Sequence, residues 1–324
     1  MIGAAADPFA IRPSVVAAEP GQTRAGSPHI ACENHGRILQ LHTPAGERRA
    51  RYDLRMDSTR ALPPLTPSEL RRYGRHLLLP ELGLAGQQRL KASSVMVVGA
   101  GGLGSPAAFY LTAAGVGTLG IVDPDTVELS NLQRQILHAT PDIAKQKVES
   151  AKAKLNGLNP DVEVKTYPVR FDNDNGADIA AGYNFIVDGS DNFDTKFLVN
   201  DVAIRLGIAF SHAGIVRLQG QTMTVLPGKT ACYRCLFHAP PPVEEMLNCQ
   251  QAGILGAVAG TLGTIQATEA VKYLAGFEEG LLTDRLLTYD AKMMKFHSIE
   301  ITRNPQCVAC GAARSADANL SPTV

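Results

Sequence analysis

What this sequence lacks narrows its partners first. Lysine plus arginine number 31 and aspartate plus glutamate 31, so there is no basic excess of the kind that marks a dedicated nucleic-acid binder. The first residues show no basic stretch followed by an apolar run and a small-residue cleavage site, which predicts no secretory leader. No long apolar run is free of charge either: the longest candidate, Gly253 to Gly276, carries Gln266, Glu269 and Lys272, which lipid would penalise. It reads as a buried helix. Cysteines are few, six in 324 residues, and two C-x-x-C pairs among them look like metal ligands rather than a secreted disulfide framework. The expectations are a reducing, cytoplasmic setting with no membrane and no nucleic acid as partner.

What is present has a clear texture. Residues 1–60 are rich in Ala, Pro, Gly, Ser and Arg and hold no sustained period of 2 or 3.6, so they read as a disordered extension. Thr66 could then cap a helix with Glu69 three positions on. From Ser94, "SVMVVGA" reads as a buried strand and Leu103 to Ala114 as a helix; "GTLGIVD" is a second strand, Pro141 to Leu158 a helix, and "YNFIVDGSDN" and "IAFSHAGI" two more strands. This alternation predicts an α/β fold with a Rossmann-like, mostly parallel sheet and crossover helices. Past Arg217, "QGQTMTVLP" and "RLLTYDAKMMKFHSIEITR" predict antiparallel strands that continue the sheet, the last pair broken at Asp290 to Lys292.

Gly99, Gly101, Gly102 and Gly104 fall within "GAGGLG", which fits G-x-G-x-x-G between strand and helix, and Asp123 ends the next strand. Glycines let a backbone approach phosphates, the helix start offers free N–H groups, and the carboxylate can take ribose hydroxyls. A nicotinamide oxidoreductase is the usual owner of this pattern. Asn131 and Arg134 follow in "SNLQRQ" and Lys147 in "AKQKVES". An arginine and a lysine are surplus to a dinucleotide but suit a triphosphate, whose departing pyrophosphate gathers charge; the bland alternative for each is a solvated surface charge. Asp188 and Asp191 sit at the end of a buried strand, where ligands of parallel sheets bind. Asp191 suits Mg2+ bridging phosphates, or else it caps the next helix.

These motifs, together with "RLQGQ", "CYRCL", "NCQQAG", "YDA" and "RNPQCVACG", resemble the ubiquitin-activating-type adenylyltransferases of molybdopterin and thiazole synthesis, from about Pro64 to Gly311. "RYGRHLLLPELG" looks more like the molybdopterin branch. The resemblance implies an adenylation domain over 61–312, with a nucleotide-binding half at about 90–215, a carrier-binding and zinc half at about 216–312, and a flexible tail at 313–324. It implies ATP-dependent adenylation of the C-terminal glycine of a small ubiquitin-like sulfur carrier ending in Gly-Gly. By similarity Asp123 holds the ribose, Arg134 and Lys147 the phosphates, and Asp191 the Mg2+; Asn131 and Asn192 support the nucleotide site, with Gln133 a lesser candidate. Arg75 matches an arginine that such homodimers lend to the neighbouring subunit's ATP. A catalytically inactive subunit of a heterodimeric activating enzyme is the alternative, against which Asp123, Arg134, Lys147 and Asp191 stand together.

The cysteines divide. Cys232, Cys235, Cys307 and Cys310 make a four-thiolate set that suits structural Zn2+, and the resemblance supports it over a redox C-x-x-C, which would open a helix after a strand; neither pair reads as having that setting. Cys249 follows the Pro240-Pro241-Pro242 run, where the resemblance puts a cysteine able to take the activated carrier as a thioester or acyl persulfide; the alternative is a small buried hydrophobe. Cys32 reads as incidental. His138 and His212 near the cleft read as packing or hydrogen-bonding groups, because an ionised carboxylate needs no general base. No sulfurtransferase-like stretch follows Gly311, so a separate sulfurtransferase or cysteine desulfurase is the expected sulfur source.

Overall fold

The computed structural model describes residues 62–240, 253–277 and 279–311. Three short helices lead in: α1 (Pro67–Arg72), α2 (Gly74–Leu77) and α3 (Gly83–Ala92). The start of α1 is fixed as the sequence predicts. Thr66 Oγ1 accepts the Glu69 N–H at 3.2 Å and Glu69 Oε2 accepts the Thr66 N–H at 2.7 Å, a reciprocal cap that satisfies two otherwise orphaned donors.

Strands and helices then alternate: β1 (Ser94–Val98), α4 (Gly104–Ala114), β2 (Thr118–Val122), α5 (Lys147–Leu158), β3 (Glu163–Tyr167), α6 (Gly176–Ala180), β4 (Phe185–Asp188), α7 (Phe193–Leu206) and β5 (Ala209–Val216). β6 (Gln219–Val225), α8 (Tyr233–Leu236), α9 (Gly256–Ala275), β7 (Arg285–Asp290) and β8 (Lys295–Glu300) follow. All eight strands form one sheet in the order β3-β2-β1-β4-β5-β6-β7-β8. β1 to β5 pair in parallel, and β5-β6, β6-β7 and β7-β8 pair antiparallel. This is the mostly parallel sheet, continued by antiparallel strands, that the sequence predicts.

The sheet is buried on both faces because its central strands are apolar at most positions; the polar exceptions Asp188, Ser211 and His212 are buried too. Val95 and Val97 of β1 join Leu111 of α4, Leu155 of α5 and Leu274 of α9 in one core, while Met96 and Val98 join Phe197 and Val202 of α7 and Tyr233 of α8 in another. Helices on both faces are the only partners that can cover strands of this kind. Strand order reverses between β1 and its two neighbours, which opens a crevice above the carboxyl ends of β1 and β4.

Two expectations need correction. The helix read over Pro141 to Leu158 begins only at Lys147. Thr140–Asp142 is a 3-10 turn, Ala144 takes a left-handed φ of 70°, and the chain there exchanges backbone bonds with Val127 instead. The Asp142 carboxylate accepts the Ala139 N–H at 3.0 Å, so a local side-chain bond competes with the helix. The second is β3, a strand not foreseen, which forms the sheet's edge and buries little.

Candidate active site

The glycine turn follows β1 and is built for close approach. Gly99 has φ +93°, and a Cβ there would lie 2.9 Å from the Gly189 carbonyl oxygen; a Cβ on Gly104 would overlap the Gly99 carbonyl. The turn is therefore packed directly against the loop that follows β4, so the ends of β1 and β4 form one surface. At Gly101 and Gly102 the constraint is milder, with Gln135 Nε2 at 3.7 Å and Ala259 Cβ at 3.2 Å from the added carbon.

Asp123, just past β2, faces this turn. Its Oδ2 accepts the Ala100 N–H at 2.8 Å and its Oδ1 the Asp125 N–H at 2.9 Å. Burial raises its carboxyl above the ordinary carboxylate range, and the Lys147 ammonium pulls it back down. Lys147, at the first residue of α5, is itself buried; its Nζ lies 2.8 Å from Asp125 Oδ2 and 3.8 Å from Asp123 Oδ1. Lys145, two residues earlier, is exposed and pairs with Asp142 at 3.2 Å instead. The lysine brought to the glycine turn is thus Lys147.

Arg134 comes from the segment after β2. Its backbone N–H bonds the Asn131 carbonyl at 3.1 Å, and its guanidinium donates to the Ser130 carbonyl at 3.1 Å. Asn131 Oδ1 accepts the Glu128 N–H at 3.2 Å, which closes the 3-10 turn that carries the arginine. A Cβ on Gly102 would lie 3.5 Å from Arg134 Cγ, so this arginine does border the turn.

On the other side, Asp191 is exposed, and the structure gives its carboxylate no hydrogen bond or ion pair among the described residues. Its alternative role goes to a neighbour: Asn192 caps α7, accepting the Thr195 N–H at 2.9 Å. A free hard carboxylate at the carboxyl end of a parallel strand has the chemistry of a Mg2+ ligand. Arg75, on α2, is exposed and makes no hydrogen bond or ion pair to these groups among the described residues. Cys249 lies outside the described residues, as do Cys32 and the extension and tail that the sequence sets off.

Sequence reasoning missed one contributor and named another, His138, only as a packing or hydrogen-bonding group. The amino end of α9 closes the crevice, for a Cβ on Gly256 would sit 3.1 Å from Arg134 Cα; only the small residues there signal it. His138 Nε2 lies 3.0 Å from the Ala100 carbonyl and Nδ1 3.0 Å from Ser150 Oγ. Since the carbonyl can only accept, Nε2 carries the proton and the ring braces the turn. Burial keeps its pKa below the usual histidine value.

The second cluster lies beyond β6. The sulfurs of Cys232, Cys235, Cys307 and Cys310 all fall within 4.8 Å of one another, with Cys232–Cys307 at 3.6 Å, Cys235–Cys310 at 3.5 Å and Cys232–Cys235 at 3.9 Å. Tetrahedral thiolates on Zn2+ with bonds near 2.3 Å put sulfurs about 3.8 Å apart. The four residues fit a structural zinc. One expectation is corrected here: Cys232 does open a helix, the four-residue α8. Four converging thiols rather than two still distinguish the site from a redox pair.

A doubly wound sheet with a glycine turn at its order reversal, an acid at the end of the next strand and a buried lysine facing it defines an α/β nucleotide-binding protein. The chain belongs to the ThiF family, which it matches over residues 73–309. It is similar to the SAMP-activating enzyme E1 of Haloferax volcanii, 48% identical over 248 residues that cover 76% of this chain and 91% of that one. It is 45% identical over 251 residues to the sulfur carrier protein adenylyltransferase of Thermus thermophilus, covering 76% and 92%. The adenylyltransferase and sulfurtransferase MOCS3 of Dictyostelium discoideum is 41% identical over 248 residues, 58% of that longer protein. In fold the chain is like E. coli MccB crystallised with ATP, with a TM-score of 0.66 and 24% identity over 74% of each chain. Among the described residues no helix is long and apolar enough to cross a membrane.

Proposed function

We propose that this chain is an ATP-dependent adenylyltransferase that activates the C-terminal glycine of a small ubiquitin-like sulfur carrier ending in Gly-Gly. The observation that carries the reading is the buried Lys147 beside Asp123 and the glycine turn, with Asp191, unpartnered among the described residues, on the loop after β4 that packs against that turn. Relatives named for activating SAMP and for adenylating a sulfur carrier protein, aligned over nearly their whole length, support it.

In this reading Asp123 takes the ribose hydroxyls, and the N–H groups of Gly101 to Gly104 face the phosphates, those of Gly99 and Ala100 being held by the Val122 carbonyl and Asp123. Lys147 exchanges Asp125 for phosphate oxygens as nucleotide enters, and Arg134 meets the same charge, with Asn131 and Asn192 holding their loops. Asp191 would hold Mg2+, whose charge would be supplied to the phosphate oxygens. The carrier's carboxylate attacks the α-phosphorus in line; its oxygen forms the new P–O bond as the bond to pyrophosphate breaks. That carboxylate is ionised near neutral pH, so no side chain removes a proton. Catalysis is positioning and charge stabilisation.

The partner chemistry follows. The protein works in the cytoplasm as a homodimer in which Arg75 reaches the partner subunit's ATP, and the four-cysteine set binds Zn2+. Cys249 is the site for a thioester or acyl persulfide, and a separate sulfurtransferase or cysteine desulfurase supplies sulfur for molybdopterin cofactor synthesis or a related pathway. ATP–pyrophosphate exchange that depends on a Gly-Gly-ending carrier, with the carrier adenylate detected by mass, tests the reading. Asp191→Ala is expected to slow exchange by about a hundredfold or more. Exchange at the wild-type rate in that variant would sink the assignment.

A further inference from the structure

Behind the candidate Mg2+ residue lies a buried ionic cluster that the reaction as written leaves unused. Asp188 ends β4 and is fully buried. Its Oδ1 accepts two bonds from Ser190, from N–H at 3.1 Å and from Oγ at 2.6 Å. Its Oδ2 accepts His212 Nδ1 at 2.9 Å and Lys196 Nζ at 3.3 Å. Four donors use the carboxylate's full accepting capacity. Lys196 also donates to the carbonyls of Ser190 at 2.7 Å and Ala213 at 2.6 Å. Ser190 is therefore held at its N–H, its hydroxyl and its carbonyl.

The next residue is Asp191, and the one after, Asn192, is held as the cap of α7. With no partner of its own among the described residues, the Asp191 carboxylate takes its direction from the backbone, which is clamped on both sides. The clamp has one loose member. His212 Nε2 is buried without a hydrogen-bond partner among the described residues, and beyond its bond to Asp188 the imidazole packs on the Tyr233 ring, 4.3 Å away between centroids. Tyr233 lies in α8 between Cys232 and Cys235, and its backbone N–H is tied to Asn200 Oδ1 on α7 at 3.0 Å.

We propose that Asp188, Lys196 and His212 are the positioning residues that aim Asp191 at its metal, and that Tyr233 links this clamp to the four-cysteine site. The inference rests on the reading of Asp191 as the Mg2+ ligand. Removing the His212 donor leaves Oδ2 with Lys196 alone, and the freed carboxylate turns, taking Ser190 with it. The four-cysteine site thereby has a reach beyond its own strands: it keeps α8, and with it the ring that holds His212, in place.

The test uses the full-length, zinc-loaded protein and thermal melting in ATP while Mg2+ is titrated, reading the Mg2+ concentration at which half the Mg2+-dependent rise is reached. His212→Leu is expected to raise that midpoint about tenfold, equivalent to about 1.4 kcal/mol, without changing the rise given by ATP alone. His212→Asn, which keeps a donor near the Nδ1 position, is expected to recover most of the shift. A wild-type midpoint in His212→Leu overturns the clamp. Should that variant fail to fold, Ser190→Ala removes one of the two hydrogen bonds to Asp188 Oδ1 and is expected to raise the midpoint about threefold; an unshifted midpoint overturns it equally. Tyr233→Leu is expected to raise the midpoint too, and an unmoved one overturns the link to the cysteines. Carrier-dependent exchange by the wild type, run in parallel, separates the readings. A normal Mg2+ response without exchange rejects the adenylation reading alone, and exchange with unshifted midpoints rejects the clamp alone.

Discussion

A buried imidazole must stay neutral, and His212 shows what that costs in acid. Burial pushes its pKa down to about 4, with Asp188 pulling it up and Lys196 pushing it further down; the Tyr233 ring also packs against it. The folded value lies below the usual histidine range, so the unfolded chain takes up its proton first as the pH falls. Stability from this residue is complete above about pH 6.5 and declines from there to about pH 4, by roughly 3 kcal/mol. Asp188 acts lower: burial raises its carboxyl, but Lys196 and His212 outweigh that and hold it at about 2, so its contribution is lost as the pH falls from about 4 through 2. Melting temperature against pH is expected to fall from pH 6.5 downward, and His212→Asn to flatten the span between 6.5 and 4. An equal slope in the variant would reject the account. The pairing of Asp188 with His212 was not legible in the sequence, because it depends on the parallel register that sets the two side by side across β4 and β5. Gly99 to Gly104 and Asp123 were legible, since a turn that needs bare backbone and an acid at a strand end leave a local signature.

Elements were readable where their pattern answers to burial on both sides and unreadable where a local bond wins. β1, β2 and β4 are mostly apolar runs and β5 is apolar around Ser211 and His212, and the structure finds them largely buried. β3 has one fully buried residue and no such run, and α5 lost its first turns to Asp142, whose carboxyl is held well below the usual range by Lys154 and Lys145. Glycine placement separates the two kinds of element position. In α4, Gly104→Ala puts a methyl into the Gly99 carbonyl, backbone that cannot yield, and is expected to destabilise by about 1–3 kcal/mol and abolish the ATP-induced rise in melting temperature. In α5, Gly157 is exposed with nothing within 4 Å of an added Cβ, and Gly157→Ala is expected to stabilise by about 0.5–1 kcal/mol with ATP binding intact. Urea denaturation with and without ATP checks both, and two equal outcomes would show that crowding at the turn is not what fixes Gly104.

At the scale of the whole molecule, one sheet carries both the nucleotide crevice and the four-cysteine cluster. β5 and β6 pair along their full length, from Phe210 with Val225 to Val216 with Gln219, and α9 packs on α4 as well as on β5 and β6. The cysteines join the segment after β6 to the segment after β8, which closes the antiparallel strands onto that same framework. The C-x-x-C pairs were visible in the sequence, but their convergence was foreseen only through the family resemblance, because it rests on a long-range fold that spacing alone does not determine. A parallel half and an antiparallel half that share a ladder and a helix have no boundary at which to separate, so they are expected to unfold together. Calorimetry should give a single transition for the zinc-loaded protein. Zinc removal by a chelator, or Cys307→Ser, should abolish bound zinc and lower that transition sharply without splitting it, since metal binding energy here is folding energy. Two transitions in the metal-free protein, one of them still raised by ATP and Mg2+, would mean that the parallel half stands alone and that the cysteines stabilise only their own strands.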